Sequence, residues 1–220
     1  MEPDRILFID GEALVIDKPA GLPVDRPRDG SLSLENHLDA LRLGFRRWPT
    51  AVHRLDRDTS GCLLLARNPK AAARFGQAFE AGTVEKTYYA ILDGVPGEAK
   101  GLVDSPLAKV STREAGWRMV PRADGKAART AWRVLGEADG RALVEFRPET
   151  GRTHQIRVHA AAGLGAAVVG DSVYGRADPA GMLLHAARLV MPRAGKPAVQ
   201  ADAPWPARFT AVGFDAPPAS

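Results

Sequence analysis

Two short apolar runs open the chain, at residues 6–9 and 13–16, and the dipeptide Asp10-Gly11 separates them. An Asp-Gly pair between apolar runs is a strong signal for a two-residue β-turn, so we predict an opening hairpin. The next segment, through Gly30, is rich in Pro, Arg, Asp and Gly, which is typical of an exposed loop. Ser33 can then act as the N-cap of a helix that we expect to end near Leu43.

A second helix is predicted to begin after Asn68, where a proline occupies the first helical position, and to end near Gly82. Ala72, Phe75 and Phe79 recur at helical spacing and would form the face that packs on a sheet.

The remaining pattern consists mainly of strands. Residues 85–92, 131–135 and 142–147 are rich in β-branched and aromatic residues, and residues 151–162 begin at a turn and become helix-like before Gly163. Residues 96–126 carry several turn signals and are expected to be rich in loops. These patterns predict an α+β fold with a mixed, largely antiparallel sheet and flanking helices, and with a flexible tail at residues 216–220.

Length and composition limit the classes of protein that remain. The chain has 220 residues, of which 45% are hydrophobic and 25% charged, as in an ordinary globular protein. One catalytic domain over residues 1–215 is therefore the first expectation, and two small domains are the alternative. Lysine and arginine together outnumber aspartate and glutamate by 30 to 26, for a net charge of +4. This excess permits a polyanionic partner, but a coding bias towards arginine explains it equally well.

Cys62 is the single cysteine, so no disulfide can form within the chain. The first ten residues lack the basic-then-apolar layout of a signal peptide, and no apolar run approaches the roughly 20 residues of a membrane span. We therefore expect a cytoplasmic protein with no membrane contact.

A cluster of polar residues, HRLDRDTSG, precedes an apolar run that ends at Ala66. Polar residues crowded at the entrance to a strand often mark a functional site. An Asp/Thr/Ser/Gly turn that binds its own backbone amides is the alternative interpretation.

A second polar cluster, ETGRTHQIRVH at residues 149–159, lies around a predicted turn and helix start. Free amides at a helix N-terminus together with two arginines can hold a phosphate. The alternative is a turn capped by Thr150 or Thr153 and followed by a solvated basic face, and it is the better interpretation of Arg157 and His159.

Taken together, HRLDRDTSG and GRTHQIRVH resemble the signature motifs of the RluA-like family of RNA pseudouridine synthases. The resemblance continues in DGEALVIDKPAGLPV, EKTYYAILDG, GDSVYG and LLHAARL, and so spans nearly the whole chain. It implies one mixed α/β catalytic domain with a central RNA-binding cleft across its sheet. Because the first motif begins within the first twenty residues, we expect no N-terminal accessory RNA-binding domain.

The resemblance also implies roles for three residues in the isomerisation of uridine to pseudouridine. Asp56 is similar to the family's essential aspartate, which helps to detach uracil from ribose and can act as a nucleophile or as a base. Arg152 is similar to the arginine that pairs with this aspartate. Tyr88 is similar to the tyrosine that lies against the target base, whereas Tyr89 should point to the opposite face of the strand.

Further residues are candidates for RNA contacts. A uridine stacked in folded RNA must be flipped out before its glycosidic bond can react, and Arg54 is the candidate that would fill the gap. We expect His53 to support the same loop. Lys18, Lys86 and Arg157 are candidates for phosphate or structural contacts, and a solvated surface role is an equal alternative for each.

The reaction is an isomerisation without a redox step, so we expect neither an organic cofactor nor a metal. The spacing of His53, His154 and His159 fits no standard zinc site. Two other classes of function stay open: an RNA-binding protein without catalysis, and a glycosyl-transferring enzyme in which Asp56-Arg57-Asp58 binds a metal. The expected partner is ribosomal or transfer RNA, and the expected oligomeric state is a monomer.

Overall fold

A computed structural model describes residues 5–27, 29–112 and 116–218 of the chain. Its strands are β1 (Ile6–Ile9), β2 (Ala13–Lys18), β3 (Thr50–Ala51), β4 (Ser60–Ala66), β5 (Glu85–Leu92), β6 (Lys100–Asp104), β7 (Leu107–Thr112), β8 (Gly116–Pro121), β9 (Arg129–Ala138), β10 (Arg141–Pro148), β11 (Leu184–Arg193) and β12 (Lys196–Asp202). Its α-helices are α1 (Pro69–Glu80), α2 (Gln155–Val158) and α3 (Ala207–Thr210), with a π-helical turn at His159–Gly163 and 3-10 turns at Leu34–His37 and Ala40–Arg42.

The contacts within the chain divide it into two compact units. The first unit comprises Met1–Lys86 and Ala186–Pro204, and the second comprises Thr87–His185 and Trp205–Ser220. The single catalytic domain over residues 1–215 stays a prediction. None of the described helices is long and apolar enough to span a membrane.

The first unit is built on antiparallel strands. Strand β2 pairs with β1 on one side and with β4 on the other, and β12 pairs with β11. The predicted opening hairpin is confirmed. Its turn is closed by Asp10, whose Oδ1 accepts the backbone N–H groups of Glu12 and Ala13, both at 2.8 Å. This is the local carboxylate-to-backbone bond that favours Asp in turns.

The predicted helix after Asn68 is confirmed as α1. The side chain of Asn68 accepts the backbone N–H of Ala71 at 2.9 Å and so caps the helix. Phe75 is buried, and the partly buried Ala72 and Phe79 pack against the same core, together with residues of β2, β4, β11 and β12. The sheet therefore covers the apolar face of α1.

The predicted helix between Ser33 and Leu43 is wrong. The segment forms two 3-10 turns, of which only Leu34 and Leu41 are buried. The Ser33 N–H donates to the side-chain oxygen of Asn36 at 3.0 Å, which satisfies the capping signal within a single turn. Leu43 has a left-handed backbone, with φ of 47°. Without a continuous apolar stripe, a longer helix has no face to bury.

The second unit contains the antiparallel order β5-β10-β9-β6. Side chains alternate along β5 as the period of two requires: Tyr88 packs with the cluster that contains Phe146 and Ile156, whereas Tyr89 packs with Phe209 on the opposite face. The expectation for these two tyrosines is confirmed. The α+β fold with a largely antiparallel sheet is likewise confirmed by the described strand pairings.

The loop-rich middle predicted for residues 96–126 is wrong, because it contains β6 and the β7–β8 hairpin. These strands are mostly exposed. The hairpin packs through Leu107 and Met119 against Ala128 and Val158. Exposed strands lack the apolar alternation that identifies a strand in a sequence, so the turn signals dominated the prediction.

Candidate active site

Asp56 lies in a tight turn at the entrance to β4. The backbone N–H of Thr59 donates to the carbonyl of Asp56 at 3.1 Å, and Thr59 and Ser60 are buried. Leu55, directly before Asp56, is only 7% exposed and fixes the other side of the turn. Asp56 itself is partly buried. It lies between Leu55 and Thr59, which are both buried and hold the turn in place.

Lys18 fixes the backbone directly after Asp56. Its side chain is fully buried, and the ammonium donates to the carbonyls of Pro19, Leu22 and Arg57 at 2.8–2.9 Å. The Arg57 carbonyl also accepts the N–H of Gly21 at 2.9 Å. The solvated surface alternative for Lys18 is therefore wrong, because its charge is surrounded by carbonyl oxygens. An RNA contact by Lys18 stays a prediction.

His53 holds the start of the same motif to its surroundings. Its Nε2 accepts the backbone N–H of Leu64 at 2.9 Å, and its ring stacks on Phe79 with centroids 4.5 Å apart. Burial, with a smaller contribution from the charge of Lys86, lowers the pKa of His53 to about 3. The ring is therefore neutral at pH 7, and because Nε2 is an acceptor its hydrogen lies on Nδ1. This geometry suits a supporting residue of the loop.

Arg54 and Lys86 differ sharply in exposure. The Arg54 side chain is 65% exposed and forms an ion pair at 2.7 Å with Asp25, which is 63% exposed. Lys86 is partly buried, and burial lowers its pKa. Of the two cations, Arg54 is the one presented to solvent. RNA contacts by Arg54, His53 and Lys86 stay predictions.

In the second unit, Tyr88 and Arg152 occupy different elements. Tyr88 lies in β5 opposite Phe146 of β10. Arg152 lies in the exposed turn before α2, where its N–H donates to Oε1 of Gln155 and its Nε donates to the carbonyl of Ala127, both at 2.9 Å. The predicted pairing of Arg152 with Asp56 and the predicted place of Tyr88 against the base stay predictions.

Arg157 and Asp171 form a buried ion pair. Nε and Nη2 of Arg157 each donate to a carboxylate oxygen of Asp171 at 2.7 Å, and the two side chains are 8% and 0% exposed. Burial alone would raise the pKa of Asp171, but the hydrogen bonds and charge of Arg157 and the N–H groups of Val173 and Tyr174 outweigh it and lower the pKa. The solvated basic face expected for Arg157 is therefore wrong, and the phosphate contact stays a prediction.

His159 is also buried, contrary to the solvated face expected for it. Its Nδ1 lies 2.8 Å from the hydroxyl of Thr130 and its Nε2 lies 3.1 Å from the carbonyl of Ser105. Burial is the main cause that lowers its pKa. A histidine spaced like a basic helix face thus serves as an internal hydrogen-bonding group.

His154 connects this turn to the β7–β8 hairpin. Its Nδ1 lies 2.9 Å from the hydroxyl of Tyr174, and the same hydroxyl accepts the backbone N–H of Met119 at 2.9 Å. The ring of Trp117 lies against His154, with centroids 5.0 Å apart. No role was predicted from the sequence for Asp171 and Tyr174 of GDSVYG, or for Thr130. The motif was a usable signal for the first two, whereas a threonine within a strand gives none.

Asp56-Arg57-Asp58 is the tripeptide that would bind a metal ion in the alternative, glycosyl-transferring class of enzyme. Asp58 accepts Nε of Arg57 at 3.1 Å. Among residues 5–27, 29–112 and 116–218, no group of three or more His, Cys, Asp or Glu side chains is arranged to hold a metal ion.

Comparison with known proteins points to one family. Residues 12–162 match the family of RNA pseudouridylate synthases. The chain is 57% identical to an uncharacterised RNA pseudouridine synthase of Zymomonas mobilis over 213 residues, which is 96% of this chain and 97% of the relative. It is 38% identical to the ribosomal large subunit pseudouridine synthase D of the same organism, over 81% of this chain but 58% of the relative.

Solved structures agree in fold. Human RNA pseudouridylate synthase domain containing 4 superposes with a TM-score of 0.80 at 26% identity and covers 97% of this chain and 95% of its own. Human RNA pseudouridylate synthase domain containing 1 gives 0.78 at 31% identity, over 94% and 87% of the two chains.

Proposed function

The chain belongs to the family of RNA pseudouridine synthases, which are isomerases, and we propose that it converts specific uridines of ribosomal or transfer RNA, with Asp56 as the catalytic carboxylate. The observation that carries the proposal is the family match over residues 12–162, which includes the HRLD motif. The fixed turn around Asp56 supports it, since a catalytic group requires a defined position.

The proposed reaction conserves every atom of the nucleotide. The bond between uracil N1 and ribose C1′ breaks, the base turns, and C5 bonds to C1′ before the hydrogen on C5 leaves and N1 gains one. The carboxylate of Asp56 can assist as a nucleophile or as a base, and both roles require its ionised form. No electron is transferred, so we propose that the reaction needs no organic cofactor or metal and is indifferent to EDTA.

Arg152 and Tyr88 are proposed to complete the site. A guanidinium beside Asp56 would pair with the carboxylate and hold it in one orientation. The attachment of Arg152 at two points, its N–H and its Nε, supports this role because it limits the positions of the side chain. The Tyr88 ring would stack on the target base, and its hydroxyl could take part in proton transfer.

We propose that the target uridine is flipped out of its stack and that Arg54 fills the gap. The 65% exposure of Arg54 supports this role. Its pairing with Asp25 is between two exposed groups and contributes only about 0–1 kcal/mol, so RNA can displace it at small cost. Lys18, Lys86, His53 and Arg157 are proposed to shape or contact the RNA surface of their own unit.

Two relatives suggest the RNA target. The chain spans 58% and 51% of the ribosomal large subunit pseudouridine synthases D of Zymomonas mobilis and Nitrosomonas europaea. We propose ribosomal RNA as the first substrate to test, with transfer RNA as the alternative, and a monomer acting in the cytoplasm. The target can be identified by mapping pseudouridines in RNA from cells with and without the gene. If no pseudouridine is lost from either ribosomal or transfer RNA when the gene is absent, the assignment is contradicted.

Tritium release from RNA labelled at uracil C5 tests the activity. Wild-type protein should release tritium, and Asp56→Asn should bind RNA with unchanged affinity but release none, because the amide can act neither as nucleophile nor as base. Asp58→Asn is the matched control, since it changes a carboxylate two residues away in the same turn. Full release by the Asp56 variant, or RNA binding without release by the wild type, contradicts the proposal.

Base flipping is tested with two substrates. Arg54→Ala should lower turnover on a folded RNA more than on an unstructured oligonucleotide, because only the folded RNA leaves a stacked gap to fill. Arg57→Ala, which removes another exposed arginine of the motif, is the control and should affect the two substrates alike. Equal losses on both RNAs for Arg54→Ala would remove the case for this role.

A further inference from the structure

Gln155 uses its whole side-chain amide inside the protein. The residue is 4% exposed and stands at the start of α2. Its Oε1 accepts the hydroxyl of Thr150 at 2.7 Å and the backbone N–H of Arg152 at 2.9 Å. Its Nε2 donates to the carbonyl of Arg129 and the hydroxyl of Thr130, both at 2.9 Å.

These four bonds join the turn that carries Arg152 to the start of β9. Thr150 is tied to the same place, because its hydroxyl also accepts the backbone N–H of Arg129 at 3.0 Å. The Arg152 side chain is held nearby, through Nε, by the carbonyl of Ala127. Hydrogen bonds thus hold both the backbone and the guanidinium of Arg152 in place relative to residues 127–130.

The polarity of the Gln155 amide is fixed by its neighbours. The Arg152 N–H can only donate and the Arg129 carbonyl can only accept, so Oε1 must face the first and Nε2 the second. A glutamate has nearly the same shape but, when ionised, places an acceptor against the Arg129 carbonyl. When protonated, it regains one donor.

We propose that Gln155 is a positioning residue that sets the place of Arg152 for catalysis. The inference rests on the proposed function, in which Arg152 orients Asp56. Gln155 itself touches neither RNA nor the reacting atoms in this role. Misplacement of a catalytic group by about 1 Å can lower a rate ~100-fold, so loss of the amide should reduce turnover rather than RNA affinity.

The test compares Gln155→Glu with wild type across pH. At about pH 8 the variant should release tritium ~10–100-fold more slowly, with its RNA Kd unchanged within about threefold. Burial and the facing carbonyl should raise the pKa of the new carboxyl, so its protonated form accumulates as the pH falls towards about 5. The ratio of variant to wild-type rates should therefore rise as the pH falls.

Other titratable groups near position 155 are present in both proteins. His159 reaches Thr130, and Arg129 pairs with Asp104 and Glu149. Arg157 is paired with Asp171. Their titration cancels in the ratio of rates. Gln200→Glu, at an exposed position of β12, adds the same carboxyl elsewhere and should leave the ratio flat.

Gln155→Met supplies a second variant of similar length that cannot regain a donor, so its loss of rate should persist at every pH. Hydrogen exchange at the Arg152 amide follows its hydrogen bond to Gln155 without any activity measurement. The protection of this amide relative to its intrinsic exchange rate at each pH should fall in both variants, and it should recover at low pH only in Gln155→Glu. Unchanged exchange, a normal rate at about pH 8, or a loss confined to RNA affinity would overturn the inference. Absence of tritium release by the wild type contradicts the proposed function instead. The exchange measurement still tests whether Gln155 holds the turn that carries Arg152.

Discussion

His53 lies directly before Arg54, and its ring contacts two different elements. It accepts the Leu64 N–H of β4 and stacks on Phe79 of α1. Because burial lowers its pKa to about 3, protonation requires this histidine to leave its place. The segment that leads to the proposed catalytic aspartate is therefore coupled to pH through one ring.

We predict that this coupling appears in unfolding experiments. The unfolded histidine has a pKa near 6.5, so between about pH 6.5 and 3 the unfolded state binds more protons and stability falls as the pH falls. At about pH 5 the loss should be on the order of 1–2 kcal/mol relative to pH 7. His53→Gln keeps an acceptor for Leu64 but cannot titrate, so urea unfolding should show a weaker pH dependence. Identical dependence in the two proteins would exclude His53 as the cause.

The roles of Asp56, Arg54 and Arg152 come from the resemblance of HRLD and GRTH to family motifs, and they stay predictions. The surroundings of individual cations were harder to predict from the sequence. The ammonium of Lys18 bonds a carbonyl 39 residues away, and Arg157 pairs with a carboxylate 14 residues away. Local spacing carries no information on such partners, which is why a solvated face was expected for Arg157.

Among the secondary-structure elements, helix α1 and strand β4 each contain a glycine, and the two glycines differ in the space around them. Gly76 lies inside α1, and a methyl group added there meets nothing within 4 Å. Gly61 lies in β4 with φ of +107°, and a Cβ there would stand 2.2 Å from the carbonyl oxygen of Ala186. One glycine can therefore be replaced and the other cannot.

We predict that Gly76→Ala raises the free energy of unfolding by about 0.5–1 kcal/mol, because alanine loses less conformational entropy in a helix. Gly61→Ala, the same chemical change, should lower it by about 2–4 kcal/mol, since the strand must shift to relieve the contact. Chemical denaturation of the two variants measures both values. A destabilised Gly76 variant would show that space around α1 is tighter than the structure indicates.

The same contrast explains which elements could be predicted. Helix α1 carries its own signals, a capping Asn68 and an apolar face at helical spacing, and it was predicted correctly. Strand β6 depends on backbone pairing with β9, as in the register of Leu102 with Ala131, and β7 and β8 pair only with each other among the described strands. Their exposed side chains show no period, so turn signals alone were visible in the sequence.

In the whole molecule, the arginines behind the net charge of +4 are of two kinds, those in ion pairs with carboxylates and those without such a pair. Many arginines are paired with carboxylates, such as Arg122 with Asp124 and Arg188 with Asp202. Within residues 5–27, 29–112 and 116–218, no ion pair involves Arg46 or Arg47, and both are exposed. Trp48 beside them is 61% exposed and presents a ring on which a base can stack.

We expect Arg46 and Arg47 to contact phosphates, since a cation without a carboxylate partner loses no ion pair when it binds RNA. The double variant Arg46→Gln/Arg47→Gln should therefore weaken RNA binding and reduce the slope of log affinity against log salt by up to about 1.4, or ~0.7 for each phosphate contact to a single strand. Arg122→Gln/Arg188→Gln removes the same charge from paired arginines and should change the slope less. Filter binding over a range of salt concentrations measures both slopes. Equal reductions in the two double variants would mean that affinity follows net charge alone, and the assignment of phosphate contacts to this segment would fail.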